Sequence, residues 1–297
     1  MVPAWEPSRP GASWERAEKF SARIYNCGNM SSFEGIINVG GVKLYVARVG
    51  VGPTLLVIHG GPDWDHSYLR SFMHPLITST DLLFFDLRGC GRSERYPDLS
   101  NLHVSHVVED LRNLILHFEI DHPALLGFSF GGRIGLEFIK CYPNIVSKFI
   151  LASSSAYPGT RSFVAPQSET VETPEDIRIW AEKSVETEVS SGALESAREA
   201  IANIRFSNQW IGALRSGLTI SHSDRDYSDA LKKSRVPTLI LHGECDRTFP
   251  LSDATRLAAE TPQAQLAIVR NAGHFAHMDF PEEWNDSVFQ FLRSDRH

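Results

Sequence analysis

The sequence predicts an α/β fold: a mostly parallel central sheet, helices on both of its faces, and an inserted helical lid. Three observations lead there. Short apolar segments recur at Thr54–His59, Leu82–Asp86, Pro123–Gly127, Ser147–Ser153, Pro237–His242 and Ala264–Arg270, and continuous apolar strands belong to sheets covered on both faces. Helical stretches fall between them near Tyr68–Ile77, Val104–Glu119, Phe130–Tyr142, Ser252–Glu260 and Glu282–Leu292, and this alternation defines the class. Residues 155–228 break the rhythm. Ile177, Trp180, Ala181, Ser184 and Val185 fall on one helical face, and Leu194, Ala197, Ile201 and Ile204 on another, with no buried strand between.

The expected organisation follows. Residues 1–32 form an N-terminal arm, rich in Pro3, Pro7, Pro10 and Gly11 and loosely ordered. Residues 33–154 and 229–297 form the two parts of one core, and 155–228 form the lid. Phe33–Asn38 and Val42–Val49 are β-rich and meet at Gly40-Gly41, a step that reads as a hairpin. A chain of 297 residues is long enough to bury one large core with an insertion.

Composition excludes several classes. Hydrophobic residues make up 42% and charged residues 22%, which rules out a disordered or fibrous chain. The formal net charge of −7 offers phosphate backbones no strong attraction, so nucleic acid is not an expected main partner. The longest apolar runs fall far short of the roughly 20 residues a membrane span needs. Cys27, Cys90, Cys141 and Cys245 are dispersed, which suggests neither a disulfide framework nor a zinc knuckle and makes a reducing cytoplasmic setting the default. The first 20 residues are charged and lack an apolar core, so they do not read as a secretory signal. Between Arg161 and Ala200 nine acids face four bases; the simplest reading is a solvated helix face.

The chemistry concentrates in three loops. Gly127-Phe128-Ser129-Phe130-Gly131 lies between an apolar strand and a helical segment, the context that the Gly-x-Ser-x-Gly turn requires. A serine on so tight a turn is strained, and only glycine fits two residues to either side. The following helix turns its free N–H groups and dipole toward developing negative charge. A hydroxyl becomes nucleophilic only when a base takes its proton, and that base needs an orienting carboxylate. Candidates follow later strands: Gly243-Glu244-Cys245-Asp246 after 237–242, and Asn271-Ala272-Gly273-His274 after 264–270. All three loops leave the sheet at its C-terminal edge, where ligands bind in such sheets. The expected set is Ser129, Asp246 and His274, preferred over Glu244 and His277. The glycines of His59-Gly60-Gly61-Pro62 let backbone N–H groups approach a substrate oxygen; Gly61 and Phe130 are the expected oxyanion donors.

With these pieces in order, the chain resembles the α/β-hydrolase superfamily. The resemblance rests on His59-Gly60-Gly61-Pro62, on Asp86-Leu87-Arg88-Gly89-Cys90-Gly91-Arg92-Ser93, on Gly127-Phe128-Ser129-Phe130-Gly131-Gly132, on Gly243-Glu244-Cys245-Asp246 and on Gly273-His274. It spans residues ~55 to 280. The His-Gly-Gly-Pro start is similar to the proline iminopeptidase branch, which also holds esterases, lactonases and amidases. The chain departs from that branch at Asp63, where glycine is usual, and at Gly-Phe-Ser-Phe-Gly, where Gly-Gly-Ser-Trp-Gly is usual. That branch's lid acids hold a substrate amine; no lid acid here matches a motif position.

The expected function is hydrolysis of an ester, lactone, thioester or amide of a small, largely apolar substrate through an acyl-enzyme, with an aminopeptidase among the possibilities. An alternative keeps the pocket but acts as a lyase, a cyclase or a cofactor-free peroxygenating enzyme; a receptor-like binding protein is a third. Asp63, Phe128, Trp180 and Trp210 are candidate pocket residues. Asp63 could hold a cation or, as the preferred reading, it or Asp65 caps the helix near Ser67. Asp63, Asp65 and His66 are too few for a metal site. His103, His106 and Asp110 read as a solvated helix face, and Asp86, Arg88, Arg92 and Ser93 as a polar network beneath their loop. No nucleotide-binding motif appears, so no cofactor is expected. Oligomeric state and substrate identity stay open.

Overall fold

The computed structural model describes residues 23–27, 30–158, 172–218 and 225–294. Among them, nine strands build one sheet: β1 (Arg23–Cys27), β2 (Met30–Val39), β3 (Val42–Val49), β4 (Thr54–Ile58), β5 (Asp81–Phe85), β6 (Ala124–Phe128), β7 (Lys148–Ala152), β8 (Thr238–Gly243) and β9 (Ala264–Val269). Their order is β1-β2-β3-β5-β4-β6-β7-β8-β9. β1, β2 and β3 pair antiparallel, as do β3 and β5, and every pair from β5 to β9 is parallel.

The helices are α1 (Ser67–Arg70), α2 (Val104–His117), α3 (Phe130–Cys141), α4 (Pro174–Glu188), α5 (Leu194–Ala202), α6 (Gln209–Arg215), α7 (Ser228–Lys233), α8 (Leu251–Glu260), α9 (Ala276–Asp279) and α10 (Pro281–Arg293). Strand residues alternate between two cores, as a period of two demands. Leu56, Ile58, Leu125, Leu151 and Ile240 pack with α2, α3 and α8. Leu55, Val57, Leu126, Ile150 and Leu241 pack with α1 and α10 on the other face. Each fully buried aliphatic side chain contributes about 1.5–3 kcal/mol.

β4 lies between β5 and β6. The chain leaves β4 to one side first and returns to the other, so the strand order reverses there. The crevice beyond the C-terminal ends of β4 and β6 is the switch point where such sheets hold ligands.

Several expectations need correction. The helix expected over Tyr68–Ile77 is α1 followed by a short 3-10 helix, His74–Thr78; Pro75 lacks the N–H that a continuous helix would use and would clash with the preceding turn. The hairpin turns at Gly40 (φ 61°) and Gly41 (φ 87°) as expected, but its first strand starts at Met30. Arg23–Cys27, inside the stretch read as an arm, pairs with β2 as the sheet edge; a five-residue run carries too little periodicity to announce itself. Residues 1–22 and 28–29 of that arm lie outside the described residues. β9 is also an edge and is partly exposed.

Between β7 and β8 the described residues form α4 to α7. Thr173 and Asp176 make reciprocal capping bonds at the start of α4, with Pro174 in its first turn, a pairing that satisfies two orphan donors. The expected face of α4 buries Ile177, Ala181 and Val185, and α5 buries Ala197, Ala200 and Ile201.

The helix face read as solvated is not so throughout. Asp110 is buried and takes two hydrogen bonds from Arg88, Nε at 2.7 Å and Nη2 at 2.6 Å. The reason is a partner 22 residues away, which helical spacing does not reveal. Arg88 thereby leaves the network that Asp86, His66, Arg92 and Ser93 form. In that network His66 Nδ1 lies 2.6 Å from Asp86, the Arg92 N–H donates to Asp86 at 2.8 Å, and Ser93 Oγ donates to the Asp86 carbonyl at 2.6 Å. Replacing Asp110 by Ala strands a buried guanidinium and is expected to cost about 3–5 kcal/mol in urea unfolding.

Candidate active site

The turn after β6 carries the strain its sequence implies. Ser129 has φ 54° and ψ −117°, outside the ordinary regions for a non-glycine residue. Its N–H donates to Ala152 O at 2.9 Å, which ties it to β7. Its carbonyl accepts from Gly132 N at 2.9 Å and from Ser154 Oγ at 2.7 Å. A Cβ at Gly127 would sit 2.5 Å from Gly131 O, and one at Gly131 2.2 Å from Ile58 O. Backbone thus passes where side chains would stand, and Ser129 is carried to the N-terminus of α3.

Two later loops reach the same place. His274 Nε2 lies 3.1 Å from Ser129 Oγ, and its Nδ1 lies 3.0 Å from Asp246 Oδ2. Asp246 is fixed through its other oxygen, which accepts the N–H groups of Thr248 and Phe249, both at 2.8 Å. Burial pushes the Asp246 carboxyl up, but the His274 charge and hydrogen bond, with help from His242 and the Phe249 N–H, hold it below the usual range. A carboxylate so placed fixes the Nδ1–H tautomer of the imidazole and leaves Nε2 to accept the serine proton.

The competitors fall elsewhere. Glu244 is exposed and accepts the Asn271 N–H at 2.9 Å, joining the loops after β8 and β9. His277 is buried among rings, 4.8 Å from Phe128 and 5.8 Å from Trp284. Burial, aided by the His274 charge, pushes its pKa down to about 3. His59 is likewise kept neutral, chiefly by burial; its Nε2 accepts the Leu87 N–H at 3.0 Å.

The glycines after β4 press against the serine. A Cβ at Gly60 would lie 2.8 Å from Ser129 Cβ, and the Gly60 N–H is held by Tyr68 Oη at 2.8 Å. Gly61 has φ 62°, and among the described residues its N–H donates to no backbone carbonyl. Phe130 opens α3 directly after Ser129.

The remaining candidates divide. Asp63 does not cap the helix near Ser67. Its buried carboxylate accepts Trp210 N at 3.0 Å and Ile211 N at 2.9 Å, capping α6, and its carbonyl accepts Ser207 N at 2.9 Å. Burial raises its pKa to about 6 against those bonds. Asp65 instead meets the Ser67 N–H at 2.8 Å and also accepts Arg205 N at 2.9 Å. Phe128 is buried 5.2 Å from the His274 ring. Trp210 is buried against Phe130 and donates to Arg88 O at 2.8 Å. Trp180 is half-buried beside Trp64, 6.4 Å between rings.

Sequence reasoning missed Trp64. Its indole stacks on Phe275 at 5.8 Å, meets Phe206 at 6.0 Å, and lies where a Gly61 Cβ would be. Tyr68, which holds Gly60, was missed as well. Neither has a periodicity or motif that marks it in advance. Among the described residues, no cluster of three or more His, Cys, Asp or Glu could hold a metal ion, and no helix is long and apolar enough to cross a membrane.

The comparisons with known proteins concern the fold and the family. A family model described as alpha/beta hydrolase fold matches residues 53–281. The AB hydrolase superfamily protein YisY of Bacillus subtilis (strain 168) is 27% identical over 263 residues, 85% of this chain and 96% of that protein. Proline iminopeptidase of Saccharolobus solfataricus is 25% identical over 285 residues, 87% of this chain and 92% of that protein. A solved alpha/beta fold family hydrolase from Bacillus anthracis str. Sterne has a TM-score of 0.74 at 18% identity, covering 88% of this chain and 99% of its own; at that identity the likeness concerns the fold.

Proposed function

Because the chain belongs to the α/β-hydrolase fold family, we propose that it is a serine hydrolase acting on an ester, lactone, thioester or amide of a small, largely apolar substrate. The observation that carries this reading is the unbroken line from Ser129 Oγ through the His274 ring to Asp246, at 3.1 Å and 3.0 Å. His274 takes the proton as Ser129 attacks the carbonyl carbon. Asp246 stabilises the imidazolium, and the N–H groups of Gly61 and Phe130 bind the oxyanion. The imidazolium then protonates the leaving group. A water activated by His274 attacks the acyl-enzyme, releases the acid and regenerates the serine.

The apolar preference is supported by a run of rings that starts at Phe128 and Phe275 beside His274 and continues through Trp64 to Trp180 and Phe206. Trp180 and Phe206 come from the segment between β7 and β8, which serves as the lid. The test is a fluorophosphonate probe with peptide mapping, run beside a panel of esters, lactones and amino-acid amides. The expected label is on Ser129, with turnover of at least one panel class. A label on another residue, or none with a substrate still being turned over, overturns the reading.

A further inference from the structure

The last turn of α4 is built against its own dipole. Acids belong at a helix N-terminus and cations at its C-terminus. The start of α4 obeys, with Glu175 and Asp176 in its first turn, but its last turn holds no basic residue and ends on Glu188. Glu186, two residues earlier, is neutralised by Arg198 at 2.6 Å. Glu188 turns instead to the loops behind the triad. Its carboxylate accepts the Arg247 N–H at 3.2 Å and lies 3.5 Å from Thr248 Oγ1, on both residues that follow Asp246. Its carbonyl rests on Gly273, where a Cβ would come within 1.9 Å of it. Asp279 reinforces the seam: one oxygen accepts Ser190 N at 2.7 Å and the other Gly273 N at 2.8 Å. Burial raises the Glu188 pKa, opposed by the Arg247 N–H and by the charge on His274.

We infer that Glu188 is a positioning residue that clasps the Asp246 and His274 loops from the segment between β7 and β8, and that its charge favours the imidazolium His274 forms during turnover. The inference rests on the serine-hydrolase reading above. The other groups facing His274 are Asp246 on Nδ1, Ser129 on Nε2, His242 at 3.4 Å behind the Asp246 carboxylate, Asp279 at Gly273, and the neutral His277. Among the described residues, Glu188 is the carboxylate that the segment between β7 and β8 adds to this group.

A nearby negative charge stabilises the imidazolium that forms as His274 takes the serine proton, so removing it slows turnover rather than weakening substrate binding. Glu188→Gln keeps an acceptor for Arg247 and removes the charge. For a neutral ester, its kcat is expected to fall about threefold with KM unchanged. Glu188→Ala loses the clasp too, and its plateau kcat is expected to fall about tenfold with KM unchanged. Circular dichroism on both variants checks folding; if the Ala variant is unfolded, the Gln variant alone decides. A parent-like kcat in a folded Gln variant overturns the inference, as does a rise in KM confined to amine-bearing substrates, which would make Glu188 a substrate contact. Ser129→Ala runs beside them. Turnover surviving in that variant defeats the serine-hydrolase reading itself, whereas an inactive Ser129→Ala with a parent-like Glu188→Gln kcat defeats only the role given to Glu188.

Discussion

Ser129→Ala is expected to lower kcat by about 10⁵-fold or more while leaving the fold intact. The hydroxyl is the only atom removed, and the backbone bonds that hold the strained turn, to Ala152, Gly132 and Ser154, stay in place. Thermal unfolding should therefore change little, and relief of no backbone strain is expected because φ is set by the turn. Residual rate over water should persist from the oxyanion donors alone. Steady-state kinetics on the best substrate of the panel, with calorimetry on the same preparation, reads both quantities. Parent-like turnover with an intact fold would remove the nucleophile from the mechanism.

Gly131→Ala has the second largest expected effect, and it acts through geometry. The new Cβ would stand 2.2 Å from Ile58 O and 2.5 Å from His59 O. Both are backbone atoms at the end of β4, so neither can rotate away as a side chain would. The start of α3 must lift from the sheet, and Ser129 and the Phe130 N–H lift with it. Overpacking of this kind costs about 1–3 kcal/mol, and a displacement of about 1 Å at the reacting atoms costs roughly 10²-fold in rate. The expected result is a folded, less stable protein with kcat down a hundredfold or more. A variant with parent-like kcat would show that the serine's placement does not depend on that close approach.

The convergence of Ser129, Asp246 and His274 was readable in advance for one reason. Each lies at the end of a strand or in the loop that follows it, and a parallel sheet delivers the ends of its strands to one edge. Register does the long-range work, so local sequence suffices. Asp63 was misread because its partners, Trp210 and Ile211, are 147 and 148 residues away; a carboxylate in a loop ahead of a helix looks the same whichever helix it caps. Asp110 was misread for the same reason. Trp64, Tyr68 and Glu188 carry no local mark: a ring in a loop and an acid in the last turn of a helix are ordinary until another segment lands on them. Pro75 did carry a mark, and the helix drawn through it overrode a local rule that the structure obeys.

The bonds from Asp63 and Asp65 to residues 205–211 have a consequence for recombining parts. The two carboxylates grow from the same short loop that presents Gly61, so the stretch bearing α6 is moored to the loop after β4. Transplanting a foreign cover between β7 and β8 would leave the desolvated Asp63 carboxylate without its amide donors, take one donor from Asp65 and slacken the glycine loop beneath. A successful chimera must therefore bring its own pair of amide donors to Asp63, or exchange the His59–Asp65 stretch together with the cover.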